Sequence, residues 1–289
     1  RCYILIINIL LMNPEDLHTM NINTLYFSAT GTTEKIVSRI AAELKECLNQ
    51  ESSLSTFSFT SPEARADSKS YSAEDIVIVG VPVYAGRVPN VLLSYLEGLE
   101  GNGAVAIAVV LYGNRNYDDA LAELRNILYN KNFLVAGAGA FIGEHSFSTT
   151  LAKNRPDPGD YIYADELAKK VAEKINGSYL LESIEVRGSY PPGPYYVPRN
   201  QEGNPVDIRK VKPKTSPSCI NCKICASICP MGSINQDIPA EIHGICIKCG
   251  ACIKKCPVQA KYYDDLNYLR HKEELESDFS QRKLPEIFF

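Results

Sequence analysis

Eight of the ten cysteines in this chain lie between Cys219 and Cys256, and their spacing predicts metal chemistry. A C-x2-C-x2-C-x3-C-P run begins at Cys219 and a second begins at Cys246, so every cysteine and each closing proline recurs 27 residues later. Three closely spaced thiolates can wrap one corner of an iron–sulfur cubane, and a remote fourth completes the ligands. We therefore predict eight metal ligands, which are Cys219, Cys222, Cys225, Cys229, Cys246, Cys249, Cys252 and Cys256.

A zinc site or a disulfide framework would also use cysteines, but each explains less of the pattern. Zinc takes four ligands, usually in two pairs, and accounts for neither the triple C-x2-C-x2-C nor the prolines. Disulfide frameworks are typical of small secreted proteins. Two [4Fe-4S] clusters would use all eight thiolates and are the interpretation that we adopt.

The double run resembles that of bacterial two-cluster ferredoxins. In that family the remote cysteine of each run ligates the other cluster. The resemblance implies that one [4Fe-4S] cluster is held by Cys219, Cys222, Cys225 and Cys256. It implies that the second is held by Cys229, Cys246, Cys249 and Cys252.

A second candidate site is the hydroxyl-rich segment from Ser28 to Thr33, which leads straight into a helical pattern. Hydroxyl groups and backbone amides at a helix N-terminus suit a phosphate dianion. The segment has no lysine, and neither a nucleoside-triphosphate loop nor a dinucleotide G-x-G-x-x-G pattern occurs. A monophosphate cofactor is therefore predicted, and the alternative is that these hydroxyls only cap the helix.

The elements that must position these residues alternate along the chain. Strands are predicted at residues 25–28, 54–59, 76–80, 105–111 and 134–142, and several are apolar throughout, as strands of a parallel sheet covered on both faces should be. Apolar residues recur at helical spacing between them. The prediction is an α/β fold, a doubly wound five-stranded parallel sheet, followed by a small α+β cysteine-rich domain.

In this context the S-x-T-G-x-T segment resembles the FMN phosphate loop of flavodoxins, and the whole arrangement resembles the flavodoxin-ferredoxin fusion proteins called ferrodoxins. The resemblance covers about residues 23–265. It implies FMN as cofactor, with the phosphate held by Ser28, Thr30, Gly31, Thr32 and Thr33. It implies that the flavin ring contacts the loops after the third and fourth strands, through Pro82, Val83, Tyr84, Ala85 and Gly86 and through Gly113, Asn114, Arg115 and Tyr117.

Two finer questions about this site stay open at the level of sequence. The chain has no tryptophan, so aromatic stacking on the flavin would fall to Tyr84 or Tyr117. His145 follows the fifth predicted strand and could give a proton to reduced flavin or could be structural. No paired carboxylates or Ser-His-Asp order stand out, so no catalytic residue is assigned.

The predicted domain organisation has five parts. These are an N-terminal extension at 1–22, a flavodoxin-like domain at 23–186, a proline-rich linker at 187–217, the 2[4Fe-4S] domain at 218–265 and a charged tail at 266–289. The apolar stretch within residues 3–12 could pass for a short signal segment, but no small-residue cleavage site follows it. A start at Met20 is the alternative interpretation of this region.

We expect an electron-transfer flavoprotein that relays electrons between FMN and the two clusters. The alternatives are a ferredoxin-type carrier with a flavin-free docking domain, or a flavoenzyme that reduces a small molecule, so oxidoreductase activity is left open. The net charge of -4 gives no reason to expect nucleic acid, and no apolar run is long enough for a membrane span. The expected partner is an unidentified redox protein in the cytoplasm, where thiols stay reduced.

Overall fold

The computed structural model describes residues 20–48, 53–177 and 182–289. The questions raised by residues 1–19 therefore lie outside the described residues. The strands are β1 (Asn21–Tyr26), β2 (Leu54–Ser58), β3 (Asp75–Pro82), β4 (Val105–Tyr112), β5 (Leu134–Ile142), β6 (Lys214–Thr215), β7 (Lys261–Tyr262) and β8 (Glu286–Phe288). The α-helices are α1 (Thr32–Cys47), α2 (Asn90–Glu97), α3 (Ala120–Asn130), α4 (Pro158–Asn176), α5 (Ile224–Ser227), α6 (Ala251–Lys254) and α7 (Leu266–Asp278).

The first five strands form a parallel sheet in the order β2-β1-β3-β4-β5. This order is the doubly wound, flavodoxin-like one, and the predicted fold class is confirmed. One detail was wrong, because the sheet has six strands: β8 pairs antiparallel with the outer side of β5. Strand β1 begins at Asn21, so the predicted domain boundary at residue 23 falls inside it.

Helices cover both faces of the sheet, as the apolar strand sequences require. Every residue of β4 is buried, and β3 is buried over six of its eight residues. Helices α1 and α4 bury their apolar sides on one face, and α2 and α3 bury theirs on the other. This arrangement leaves the loops at the carboxyl ends of the parallel strands as the place where functional groups meet. We call that side the carboxyl edge.

The proline-rich segment predicted as a linker lies along the flavodoxin-like domain. Asp119 accepts hydrogen bonds from the amides of Ser189 (2.8 Å) and Gly193 (2.9 Å). The hydroxyl of Tyr195 donates to the carbonyl of Val88 at 2.9 Å. The segment is therefore a strap with defined contacts.

The cysteine-rich domain is built on the short antiparallel pair β6 and β7 with the one-turn helices α5 and α6. After it, the tail forms α7 and then β8, which returns to the large sheet. The tail's role could not be predicted from its charged sequence. Among the described residues, no helix is long and apolar enough to cross a membrane.

Candidate functional site

The hydroxyl-rich loop turns the chain from β1 into α1. Gly31 takes a left-handed conformation (φ 92°) at the N-cap, and no side chain caps the helix. Nothing lies within 4 Å of where its Cβ would stand. The first-turn amides of a helix have no intrahelical acceptor, and of these the amide of Glu34 donates to the hydroxyl of Ser28. The donors present fit a phosphate group.

The predicted phosphate residues do not all present their side chains in the same way. Ser28, Thr30 and Thr32 are half-buried at the loop surface. The hydroxyl of Ser28 accepts a hydrogen bond from the amide of Glu34 at 3.1 Å, which shapes the turn. Thr33 is only 1% exposed, because its side chain packs on Gly80 of β3.

The loop after β3 makes a tight hairpin around Ala85 and Gly86. Both residues have positive φ (52° and 78°), and the amides and carbonyls of Tyr84 and Arg87 hydrogen-bond each other at 3.0 and 3.1 Å. A Cβ on Gly86 would clash with Asp118. The hairpin therefore depends on glycine and stands directly against the loop that follows β4.

The loop after β4 is held by the C-terminal tail. Asn114 is 2% exposed, and its side-chain amide donates to the carbonyls of Phe279 (2.6 Å) and Gln281 (2.8 Å). Its side-chain oxygen accepts from the amide of Lys283 at 3.3 Å. Arg115 pairs with Asp118 and lies over a strap tyrosine ring. These side chains orient the loop.

The alternative that Tyr117 stacks on the flavin ring was wrong. Its ring is 2% exposed and lies in the sheet core beside Tyr112, and its hydroxyl donates to Glu286 of β8 at 2.7 Å. A ring fixed in the core cannot lie against a flavin. Tyr84 is half-buried at the carboxyl edge. Of the two tyrosines, it is the one that remains a candidate for stacking on the flavin.

The eight predicted cysteine ligands fall into two sets. Cys229, Cys246, Cys249 and Cys252, here the inner set, line one cavity. Cys219, Cys222, Cys225 and Cys256, here the outer set, line another. Among the described residues, no three His, Cys, Asp or Glu side chains are placed to hold a single metal ion. The grouping is the one that cross-ligation of two cubanes requires.

The thiols of the two sets differ in their surroundings. Burial raises the pKa of Cys249 to about 12 and raises the pKa of Cys252 further. Burial also opposes ionisation of Cys256, but four backbone amides outweigh it and lower its pKa. Buried thiols of this kind become thiolates when a metal supplies the compensating positive charge.

The inner set lies against the carboxyl edge of the large sheet. Gly250 (φ 75°) approaches the carbonyl of Ser146 so closely that a Cβ would clash. Lys254 donates to the Glu144 carboxylate and, at 2.8 Å, to the carbonyl of His145. These contacts place the second cysteine run directly beside the loop that follows β5.

Two further contacts extend this interface across the sheet. Arg65 donates to the carbonyl of Pro230 at 2.6 Å, and Pro230 follows an inner-set cysteine. Ala251 is 1% exposed within the core that covers α2 and α3. The described outer-set residues make no hydrogen bond or ion pair to residues 20–186.

The hydroxyl of Tyr84 is affected by the thiols of the inner set. Burial raises the pKa of its hydroxyl well above the usual value, and the nearby thiols of Cys249 and Cys246 raise it further. The phenol therefore stays neutral next to these sulfur atoms.

Sequence reasoning missed the residues that join the two parts. Arg65, Glu144 and Lys254 are charged residues with no motif around them, and the tail is short and polar. Their partners lie far away along the chain, so no local spacing could reveal them. Among the residues that join the two parts, only Gly250 could be noticed in the sequence, because it is a glycine next to a predicted cysteine ligand.

His145 is expected to make stability depend on pH. Burial, together with the nearby positive charge of Lys254, lowers the pKa of His145 to about 3, while its ring nitrogen accepts from the amide of Phe147 at 3.1 Å. The unfolded chain takes up this proton near pH 6.5, but the folded chain does not. Stability should therefore be complete above that pH and fall as the pH decreases, by up to about 1.4 kcal/mol per pH unit.

His145→Asn keeps an acceptor for Phe147 and should flatten this dependence between about pH 6.5 and pH 5. The measurement is the thermal unfolding midpoint against pH. His243→Gln is the control for removal of a histidine at the surface, where the side chain is 69% exposed. Identical profiles for the wild type and His145→Asn would contradict the prediction.

Comparison with known proteins agrees with this architecture. A family model of the flavodoxin domain matches residues 24–132, and one of the 4Fe-4S binding domain matches 216–232 and 243–262. A flavodoxin from the domain Archaea is 13% identical, covers 55% of this chain and 100% of its own, and has a TM-score of 0.36. Flavodoxin 2 from Bacillus cereus is 18% identical, with coverages of 53% and 99% and a TM-score of 0.39.

A flavodoxin of Fusobacterium nucleatum bound to flavin mononucleotide is also similar, at 19% identity, coverages of 54% and 96% and a TM-score of 0.34. A search of curated proteins gave no match. The two family matches define a protein of the electron-transfer class that binds flavin and an iron–sulfur centre. The chain is an N-terminal flavodoxin domain fused to a C-terminal ferredoxin-type domain, as its cysteines and hydroxyl loop predicted.

Proposed function

We propose that this protein relays electrons between one FMN and two [4Fe-4S] clusters. In this proposal the phosphate of FMN binds at Ser28, Thr30, Gly31, Thr32 and Thr33, and the inner and outer sets of cysteines each hold one cluster. A flavin exchanges one or two electrons, whereas a cubane exchanges one at a time. The flavin therefore suits a role as the point where single electrons are collected or split.

The observation that carries the proposal is the position of the inner set at the carboxyl edge. Gly250 and Lys254 contact the loop after β5, and Arg65 donates to the carbonyl of Pro230, which follows an inner-set cysteine. The outer set has no such contacts in the described chain and includes the exposed Cys222. The order of transfer is therefore outer cluster, inner cluster and flavin, with an external one-electron redox protein at the outer end.

The composition of the anaerobically purified protein is the first test. About eight irons and one flavin per chain are expected from two cubanes and one FMN. A flash-generated viologen radical, which donates one electron, should then reduce the clusters before the flavin. Flavin reduction should follow at a rate that does not depend on protein concentration. A rate proportional to protein concentration, or a flavin that stays oxidised beside reduced clusters, would contradict the proposal.

Tyr84 provides the matched variants. Tyr84→Ala removes the ring and is expected to weaken FMN binding by about tenfold, near the upper value for an aromatic contact, and to slow reduction of the flavin by the clusters. Tyr84→Phe keeps the ring and should behave as the wild type in both measurements. Tyr129→Ala, at a tyrosine that is 52% exposed, is the control for loss of a surface ring.

A further inference from the structure

One type of backbone hydrogen bond to a cysteine sulfur occurs in both cysteine runs. The amide of Ser233 lies 3.4 Å from Cys229 Sγ, and the amide of Ala260 lies 3.2 Å from Cys256 Sγ. Donors and acceptors are both 27 residues apart, which is the repeat length of the cysteine runs. This backbone hydrogen bond is therefore equivalent in the inner and outer sets.

A different contact to sulfur occurs only at the inner set. The hydroxyl of Tyr263 lies 3.5 Å from Cys246 Sγ. The residue 27 positions earlier is Gln236, which is exposed and makes no hydrogen bond to a cysteine sulfur within the described residues. The inner set thus has a side-chain donor that the repeat does not supply to the outer set.

The orientation of Tyr263 is fixed by packing. Its ring lies on that of Tyr268 from α7, with centroids 4.0 Å apart, and Ile208 of the strap completes this small core. Tyr263 is 9% exposed, and β7, which ends one residue before it, pairs with β6. The hydroxyl is therefore held at the sulfur by three separate segments of the chain.

The direction of the hydrogen bond follows from the chemistry of the ligand. A cysteine bound to iron has lost its proton, so only the tyrosine can donate. An electron added to a cluster increases the negative charge on its sulfur ligands, and hydrogen bonds to those sulfurs are one of the factors that set its reduction potential. No bond to Tyr263 is made or broken, and the electron comes from a one-electron donor.

We propose, building on the two-cluster function above, that Tyr263 is a positioning residue that raises the reduction potential of the inner cluster through Cys246. Its effect opposes that of burial, which disfavours additional charge at the inner set. The hydrogen bond thereby keeps the cluster next to the flavin able to accept an electron from the outer one.

The test is a dithionite titration of the full-length, anaerobically loaded protein, followed by electron paramagnetic resonance after iron and flavin have been counted. Tyr263→Phe should shift the reduction equilibrium of one cluster about fivefold toward the oxidised form, the effect of one lost hydrogen bond. This is about 40 mV at 59 mV per tenfold for a one-electron couple. The other cluster and the flavin should be unchanged, as should all couples in the control Tyr262→Phe, at the neighbouring, 41% exposed tyrosine.

A second replacement keeps the ring and changes only the donor strength. 3-Fluorotyrosine at position 263 has a more acidic hydroxyl, so the same couple should move upward. The measurement with fluorotyrosine tests the role of Tyr263 even if Tyr263→Phe loses iron. Unchanged couples in fully loaded Tyr263→Phe, or no upward shift with fluorotyrosine, would overturn the role of Tyr263. If the wild-type protein contains no iron or no flavin, the proposed function is overturned instead. The composition analysis detects that outcome before any titration.

Discussion

Gly31→Asp is expected to abolish flavin binding at micromolar concentrations. The carboxylate would stand at the N-cap of α1, beside the first-turn amides, where nothing lies within 4 Å of the position of a Cβ. It would accept those hydrogen bonds itself and repel the phosphate. Loss of about two charge-assisted hydrogen bonds corresponds to roughly 3 kcal/mol, or more than about 100-fold in affinity.

Gly103→Asp is the control that separates the loss of folding stability caused by backbone strain from the loss of flavin affinity. Gly103 has nearly the same φ (89° against 92°) and also has room for a Cβ, but it lies away from the carboxyl edge. Each variant should lose about 1–2 kcal/mol of folding stability from left-handed strain. Only Gly31→Asp should lose flavin, as measured by fluorescence titration of the flavin-depleted protein with FMN. Equal affinities in the two variants would show that the phosphate binds elsewhere.

Asn114→Ala is expected to detach the C-terminal tail from the loop after β4. The substitution removes three hydrogen bonds to residues 279–283 and places alanine at φ 67°. At about 1 kcal/mol for each bond and a further 1–2 kcal/mol for the backbone, the local cost is about 4 kcal/mol. Amide hydrogen exchange in β8 should therefore accelerate by about 1000-fold.

Asn132→Ala is the matched control for this variant. Asn132 has a similar φ (62°), but it is exposed and its side chain makes no hydrogen bond in the described part of the chain. Asn132→Ala should lose only the folding free energy that comes from backbone strain, and amide exchange in β8 should stay as in the wild type. If β8 exchanges equally fast in both variants, the tail is held by something other than Asn114.

The parts of the fold that were predicted correctly depend on local patterns. Apolar runs identify β3, β4 and β5, and Ser28 to Thr33 mark the first loop, because strand burial and helix starts are decided by neighbouring residues. The cysteine spacing is equally local, since one cubane corner needs three thiolates from consecutive turns. Such features can be recognised without knowing what packs on them.

The parts that could not be predicted depend on distant pairings. Strand β8 has only three residues, and its partner β5 is separated from it by the whole cysteine-rich domain. The choice between Tyr84 and Tyr117 could not be made because it depends on Glu286, which lies in that strand. The same holds for Arg65 and Pro230, which meet across two domains.

The return of β8 to the sheet also bears on how the molecule is made. Because β5 and β8 flank the cysteine-rich domain, that domain is in effect an insertion within the flavodoxin fold. During synthesis β8 leaves the ribosome after all eight cysteines of the two runs, so the sheet gains its outer strand only after these cysteines have emerged. An iron–sulfur centre assembled before that step would therefore form while the cysteine-rich domain is not yet held between two paired strands of the sheet.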